Sequence, residues 1–136
     1  MNAQQDDYED VCGELRAGKK TSHWIWFIFP QIKGLGTSTT SDWFAISSLD
    51  EARAYLQHPV LGQRLRECTQ LVNLVEGRSI REIFGSPDHL KFRSCMTLFG
   101  SLPHSACVFG EALSKYFAGV ADPLTCELLE REQAQR

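Results

Sequence analysis

The run Trp24-Ile25-Trp26-Phe27-Ile28-Phe29, closed by Pro30, limits what this chain can fold into more tightly than any other stretch. Each large apolar side chain gains about 1.5–3 kcal/mol from burial, so the segment has to lie inside a core. It is far shorter than the ~20 residues of a membrane helix. Proline disfavours helical geometry in the residue before it, which ends any helix here by Phe29. Thr21 and Ser22 stand in front of the run as hydroxyl caps, and the spacing predicts a short helix. A buried strand is the competing reading, because Trp, Ile and Phe also favour sheets. Helix is preferred, since no other segment reads as a partner strand.

The punctuation around this run predicts helices nearly everywhere else. Tyr8, Val11, Cys12 and Leu15 recur at helical spacing, and Gly18 stops them. Ser48-Leu49-Asp50-Glu51 is a capping box that opens a helix ending at His58-Pro59. Pro59 then starts the longest helix, through Leu61, Leu65, Cys68, Leu71, Val72 and Leu74, with Gly77 as its stop. A second box, Ser79-Ile80-Arg81-Glu82, opens a brief helix closed by Gly85. Ser86-Pro87-Asp88 starts another, with Pro103 as its outer limit. Val108, Phe109, Ala112, Leu113, Tyr116 and Phe117 form the next stripe, and Asp122-Pro123 caps a last helix. The expectation is an all-α fold: a single compact multihelical domain of seven or eight helices over residues 1–136, ordered from about 6 to 130 with frayed polar termini. The one long loop signal is residues 32–42, rich in glycine and hydroxyls.

Composition excludes several function classes. A net charge of −3, with no cluster of Lys and Arg, argues against duplex nucleic acid as partner. Five cysteines without a C-x-x-C pair fit neither a zinc ribbon nor a closed disulfide framework, and they read as reduced thiols, mostly in the core. The N-terminal stretch has no basic n-region followed by an apolar run, so a secretory signal is not expected and a cytoplasmic location is. No cofactor fingerprint, phosphate loop or nucleophile elbow is present, and no histidine pair has the spacing of a helical metal site.

Three blocks carry a resemblance: residues 22–31 with Gly34-Leu35-Gly36, residues 51–62, and Lys91-Phe92-Arg93-Ser94-Cys95-Met96-Thr97-Leu98-Phe99. Together with Tyr116-Phe117 and Asp122-Pro123, they make the chain similar to the family called domain of unknown function 1810, over roughly residues 4–130. The resemblance implies a compact all-helical fold in a mostly bacterial family without an assigned activity, cofactor or substrate. Cys95 stands where the family is associated with a second serine beside Ser94.

The polar residues set into these blocks are the candidates for chemistry. His23 lies at the predicted start of the aromatic helix beside Lys19, Lys20, Thr21 and Ser22, where free amides and the helix dipole suit a phosphate or carboxylate. The plain alternative is a capped helix with solvated lysines. Trp24 is a candidate for stacking on a planar ligand, and Gln31 for binding an amide or hydroxyl; core packing and loop satisfaction are the competing roles. Lys91, Ser94 and Cys95 share a helix face, so Lys91 is a candidate amine or activator of Ser94, or an ion-pair partner of Glu67 or Asp88. Arg93 is a ligand-binding candidate on the same helix. His58 precedes Pro59, where its imidazole is expected to meet the last carbonyls of the preceding helix.

Two functional readings follow. In the first, His23, Trp24, Gln31, Lys91 and Arg93 build a site near residues 22–31 for a small anionic or nucleotide-like ligand, with or without catalysis. In the second, the chain is a non-catalytic interaction or oligomerisation module with its aromatic segment as core or interface.

Overall fold

A computed structural model of the chain describes residues 2–21, 24–32, 45–102 and 107–134. The readings placed on Ser22, His23, the stretch 33–44, Pro103 and His104 fall outside those residues. Eight helices are found among the described residues: α1 (Asn2–Arg16), α2 (Ile25–Ile28), α3 (Leu49–Gln57), α4 (Leu61–Leu74), α5 (Ile80–Phe84), α6 (Asp88–Gly100), α7 (Val108–Phe117) and α8 (Pro123–Ala134). The fold is all-α. Its one β feature among these residues is an isolated parallel bridge between Ile32 and Ile46, closed by Ile46 N–H donating to the Gln31 carbonyl at 2.8 Å.

Helices α4 and α6 form the centre. The first packs on α1, α3 and α7, and the second on α5, α7 and α8. The aromatic run supplies the hub between them. Trp24, Phe29, Phe84 and Phe92 form a continuous ring cluster, with Phe29 edge-on to Phe92 at 5.0 Å and Phe84 stacked on it at 4.8 Å. Edge-on and offset pairs suit the ring quadrupoles, which is why such clusters hold specific geometry as well as burying area.

Most of the local signals act as the sequence suggests, with informative exceptions. The Ser79–Glu82 box is complete. At α3, Ser48 accepts from Glu51 N–H as expected, but the Glu51 carboxylate reaches back one residue further, to Ser47. Helix α2 starts at Ile25 with Trp24 as its cap and no side-chain cap bond, and the Thr21 N–H donates to Glu14 of α1. At the far end α8 runs through Ala134. Glu132 accepts from Leu49 N–H at 2.9 and 3.1 Å, so the tail caps α3 from 83 residues away.

His58 corrects its expected role. Its backbone N–H bonds the carbonyls ending α3, whereas its Nδ1 accepts from Val60 and Leu61 N–H, both at 3.1 Å, and caps the helix that follows. The regular part of α4 begins at Leu61, two residues after the predicted start, although Gly62 N–H already bonds the His58 carbonyl across Pro59. His58→Ala is expected to lose about 1 kcal/mol, as for other helix caps, and His58→Asp to recover most of it. Urea unfolding midpoints of the two variants check this.

Candidate functional site

The structure gathers charged side chains at the N-terminal edge of the aromatic segment. Lys20 Nζ lies 2.8 Å from Asp88 Oδ2, and Lys91 Nζ lies 3.7 Å from Asp88 Oδ1. Two ammonium groups therefore share one carboxylate. Lys20 is only 6% exposed in its side chain, and its ammonium also sits 5.3 Å over the Trp24 ring. Its backbone N–H donates to the Ile83 carbonyl, which pins the residue between α1, α2 and α5. Asp88 opens α6, where a carboxylate is favoured by the positive end of the helix dipole.

Trp24 is 2% exposed, with its faces taken by Phe29, Phe84 and Lys20. Its indole N–H donates to Glu14 Oε1 at 3.0 Å. That same oxygen accepts from Thr21 N–H at 2.6 Å, so one carboxylate of α1 holds both ends of the link into the aromatic segment.

The remaining predicted residues disperse. Arg93 reaches away from the segment: its Nε and Nη2 donate to the carbonyls of Val120 and Ala121 at 3.0 and 2.9 Å, clamping the connection between α7 and α8. Thr97 finishes the same clamp by accepting from Asp122 N–H. Ser94 is buried and its hydroxyl donates to the Leu90 carbonyl, while Cys95 is fully buried and burial pushes its thiol well up. Gln31 is half-buried at the edge of the bridge to Ile46. Of the predicted residues that are described, Lys91 and Trp24 are thus brought to one cluster, Lys91 through Asp88 and Lys20, Trp24 through Lys20 and Glu14.

A second concentration of reactive groups lies on the α1–α4 seam. Tyr8, Cys12 and Arg16 fall on one face of α1, and Glu67 and Cys68 face them from α4. Two adjoining pockets of about 130 and 370 Å3 share Cys12, Arg16 and Glu67 in their walls; Tyr8 and Glu9 complete the first, and Gln70 and Leu71 the second. Tyr8 Oη donates to Glu67 Oε2 at 2.5 Å, and the Arg64 guanidinium lies 4.6 Å over the Tyr8 ring. Cys12 and Cys68 are free, buried thiols on α1 and α4. The neighbouring Cys68 thiol, with the Tyr8 hydroxyl and the charge of Arg16, outweighs burial and lowers the Cys12 thiol to about 6. Cys68 is pushed strongly up, by the neighbouring Cys12 and by burial. Burial and the bond to Glu67 likewise raise Tyr8, whereas Tyr8 and Gln63 lower the Glu67 carboxyl.

Sequence reasoning treated these cysteines as core thiols. The available signal was the i, i+4, i+8 spacing of Tyr8, Cys12 and Arg16, which places a phenol, a thiol and a guanidinium along one stripe. Cys68 had no such signal, because its partner lies on another helix. No group of three or more metal-ligating side chains occurs among the described residues, and none of the described helices is long and apolar enough to cross a membrane.

The sequence profile of the family described as "Protein of unknown function (DUF1810)" matches residues 1–129. The chain is similar to the solved structure of the conserved hypothetical protein Rv1873 from Mycobacterium tuberculosis, with 53% identity, 95% of this chain and 92% of that chain covered, and a TM-score of 0.93. No curated protein matches it.

Proposed function

The chain belongs to the DUF1810 family, which is described without a function, and we propose that it binds a small anionic ligand, through a phosphate or carboxylate group, beside the aromatic segment 22–31. The observation that carries this reading is the sharing of Asp88 by Lys20 and Lys91. Both ammonium groups meet at this one carboxylate, at the first turn of a 13-residue helix. Lys20 is almost wholly buried and fixed by its carbonyl and ring contacts, so it supplies a preorganised charge. Lys91, 27% exposed in its side chain, retains access to solvent and to a ligand. An arriving anion competes with Asp88 for Lys91 while Lys20 keeps the carboxylate occupied, so the cluster exchanges partners without leaving a buried charge alone. Nucleotides are one class that carries such a group, and they would be held by phosphate, because the Trp24 ring is enclosed.

Thermal-shift titration with inorganic phosphate, citrate and nucleoside monophosphates, against sodium chloride at matched ionic strength, tests this. A ligand at a hundredfold excess over its Kd stabilises the fold by about 2.7 kcal/mol, a rise of several degrees in Tm. Lys91→Ala is expected to weaken that shift, and Asp88→Asn to raise anion affinity while lowering the unliganded Tm. Equal shifts from every anion and from chloride, unchanged by Lys91→Ala, would sink the reading.

A further inference from the structure

We propose that the groove between α1 and α4 binds a free amino acid, whose carboxylate is received by Arg16 and whose ammonium is received by Glu67. The site is separate from the lysine cluster and does not depend on its function. The observation that carries it is a pair of opposite charges that share a cavity without meeting. Arg16 from α1 and Glu67 from α4 stand in the walls of both adjoining pockets, of about 130 and 370 Å3. Both residues are exposed, so a ligand can reach them from solvent. Yet among the ion pairs of the described residues none joins these two. A cavity walled by a separate guanidinium and carboxylate is complementary to a molecule that carries both charges itself. A simple anion or cation satisfies one wall and is repelled by the other.

The acidic wall is preorganised. Glu67 Oε2 accepts from Tyr8 Oη at 2.5 Å, and Oε1 accepts from Gln63 Nε2 at 3.0 Å. The Arg64 guanidinium lies 4.6 Å over the Tyr8 ring and so steadies the phenol that holds Glu67. Those two bonds keep the Glu67 carboxyl below its usual range and therefore ionised at neutral pH. Each of its oxygens retains a further lone pair for an ammonium group. Arg16 is the last residue of α1, where the negative end of the helix dipole favours a cation. Its planar fork takes a carboxylate through two parallel bonds. Arg16 also bears on the buried Cys12 thiol; the guanidinium carries five N–H donors, enough for that neighbour and a carboxylate together. Gln70 and Leu71 complete the wider pocket and offer an amide and an apolar surface to the ligand's side chain. The volume lies at the lower end of the range for small-molecule sites, which suits one amino acid better than a peptide.

The test is a heteronuclear NMR titration of the whole chain with the common L-amino acids at millimolar concentration, each beside its N-acetyl and carboxamide derivatives. At about pH 6.5 the amines stay largely protonated and the carboxylates ionised. At least one amino acid is expected to shift the backbone amides of residues 8–16 and 63–71 along a saturable curve. Both of its derivatives should bind at least about tenfold more weakly, because each leaves one charged wall unanswered. Arg16→Gln should lower the affinity for the free amino acid to that of the carboxamide on wild type, and Glu67→Gln to that of the N-acetyl form. The exposure of both positions lets these variants fold, and the comparison of ligand forms on wild type needs neither of them. The inference is overturned if no amino acid gives a saturable shift, if the shifts fall away from the α1–α4 groove, if the derivatives bind as tightly as their parent, or if both variants keep the wild-type affinity. None of these results alters the response of the lysine cluster to phosphate or citrate, so the two sites are judged apart.

Discussion

Replacing Gly62 by alanine is expected to destabilise the protein by about 3 kcal/mol or more, the upper part of the range for overpacking. A Cβ at this position would stand 1.9 Å from the Leu56 carbonyl oxygen and 2.7 Å from its carbon. Those atoms are backbone and cannot rotate aside. The Leu56 oxygen is also held by the Arg66 guanidinium at 3.2 Å, and only His58, Pro59 and Val60 separate α3 from α4, so the two helices would have to part. Intrinsic helix propensity has the opposite sign, favouring alanine over glycine by about 1 kcal/mol. The direction of the result therefore separates close helix approach from local preference. A fall in Tm on the order of 10 °C is expected, and a Tm equal to or above that of the wild type would refute the close approach.

Phe92→Ala is expected to cost about 3–5 kcal/mol, as other large truncations in cores do. Its side chain is fully buried, stacked on Phe84, edge-on to Phe29 and tilted against Phe117 at 6.5 Å. The ring thus joins the aromatic segment to α5, α6 and α7, and its loss opens a cavity bounded by three other rings. Phe92→Leu should cost less than half as much, because it refills most of the volume and forfeits mainly the ring contacts. Denaturant unfolding with an unchanged m-value is the measurement. Equal losses for the two variants would mean that shape, more than volume, dominates at this position. A loss below 1 kcal/mol for Phe92→Ala would show that the cluster does not carry the core.

Much of the fold was legible because caps, prolines and glycine stops act over three or four residues. Ser79 with Glu82, Asp122 with Thr125 N–H, and Gly85 with its positive φ all work within one turn, so the residues that decide each boundary are neighbours in sequence. The exceptions share a cause. Glu14 reaches into the aromatic segment to accept from Thr21 and Trp24, and Glu132 caps α3 from the opposite end of the chain. Neither carries a local signature, since a glutamate on a helix face reads as solvated until a partner helix is placed beside it.

The candidate sites divide in the same way. The helix face shared by Lys91, Ser94 and Cys95 was correctly spaced, yet Lys91 turns toward Asp88 while Ser94 and Cys95 face the core. Spacing gives a direction around one helix but not what lies there. The conjunction of Lys20 with Lys91, and that of Tyr8 with Glu67, joins residues of separate segments.

The aromatic run from Trp24 to Phe29 had to be buried and had to end at Pro30 whatever surrounded it, because burial energy and proline sterics are properties of the residues themselves. The sequence by itself thus determined the helical class, most helix ends and the burial of Trp24, Ile25, Ile28 and Phe29. Which charges meet at its edge, and which polar groups meet across α1 and α4, only the tertiary structure decided. Helix crossings follow from the summed packing of side chains distant in sequence, and no single segment contains that information.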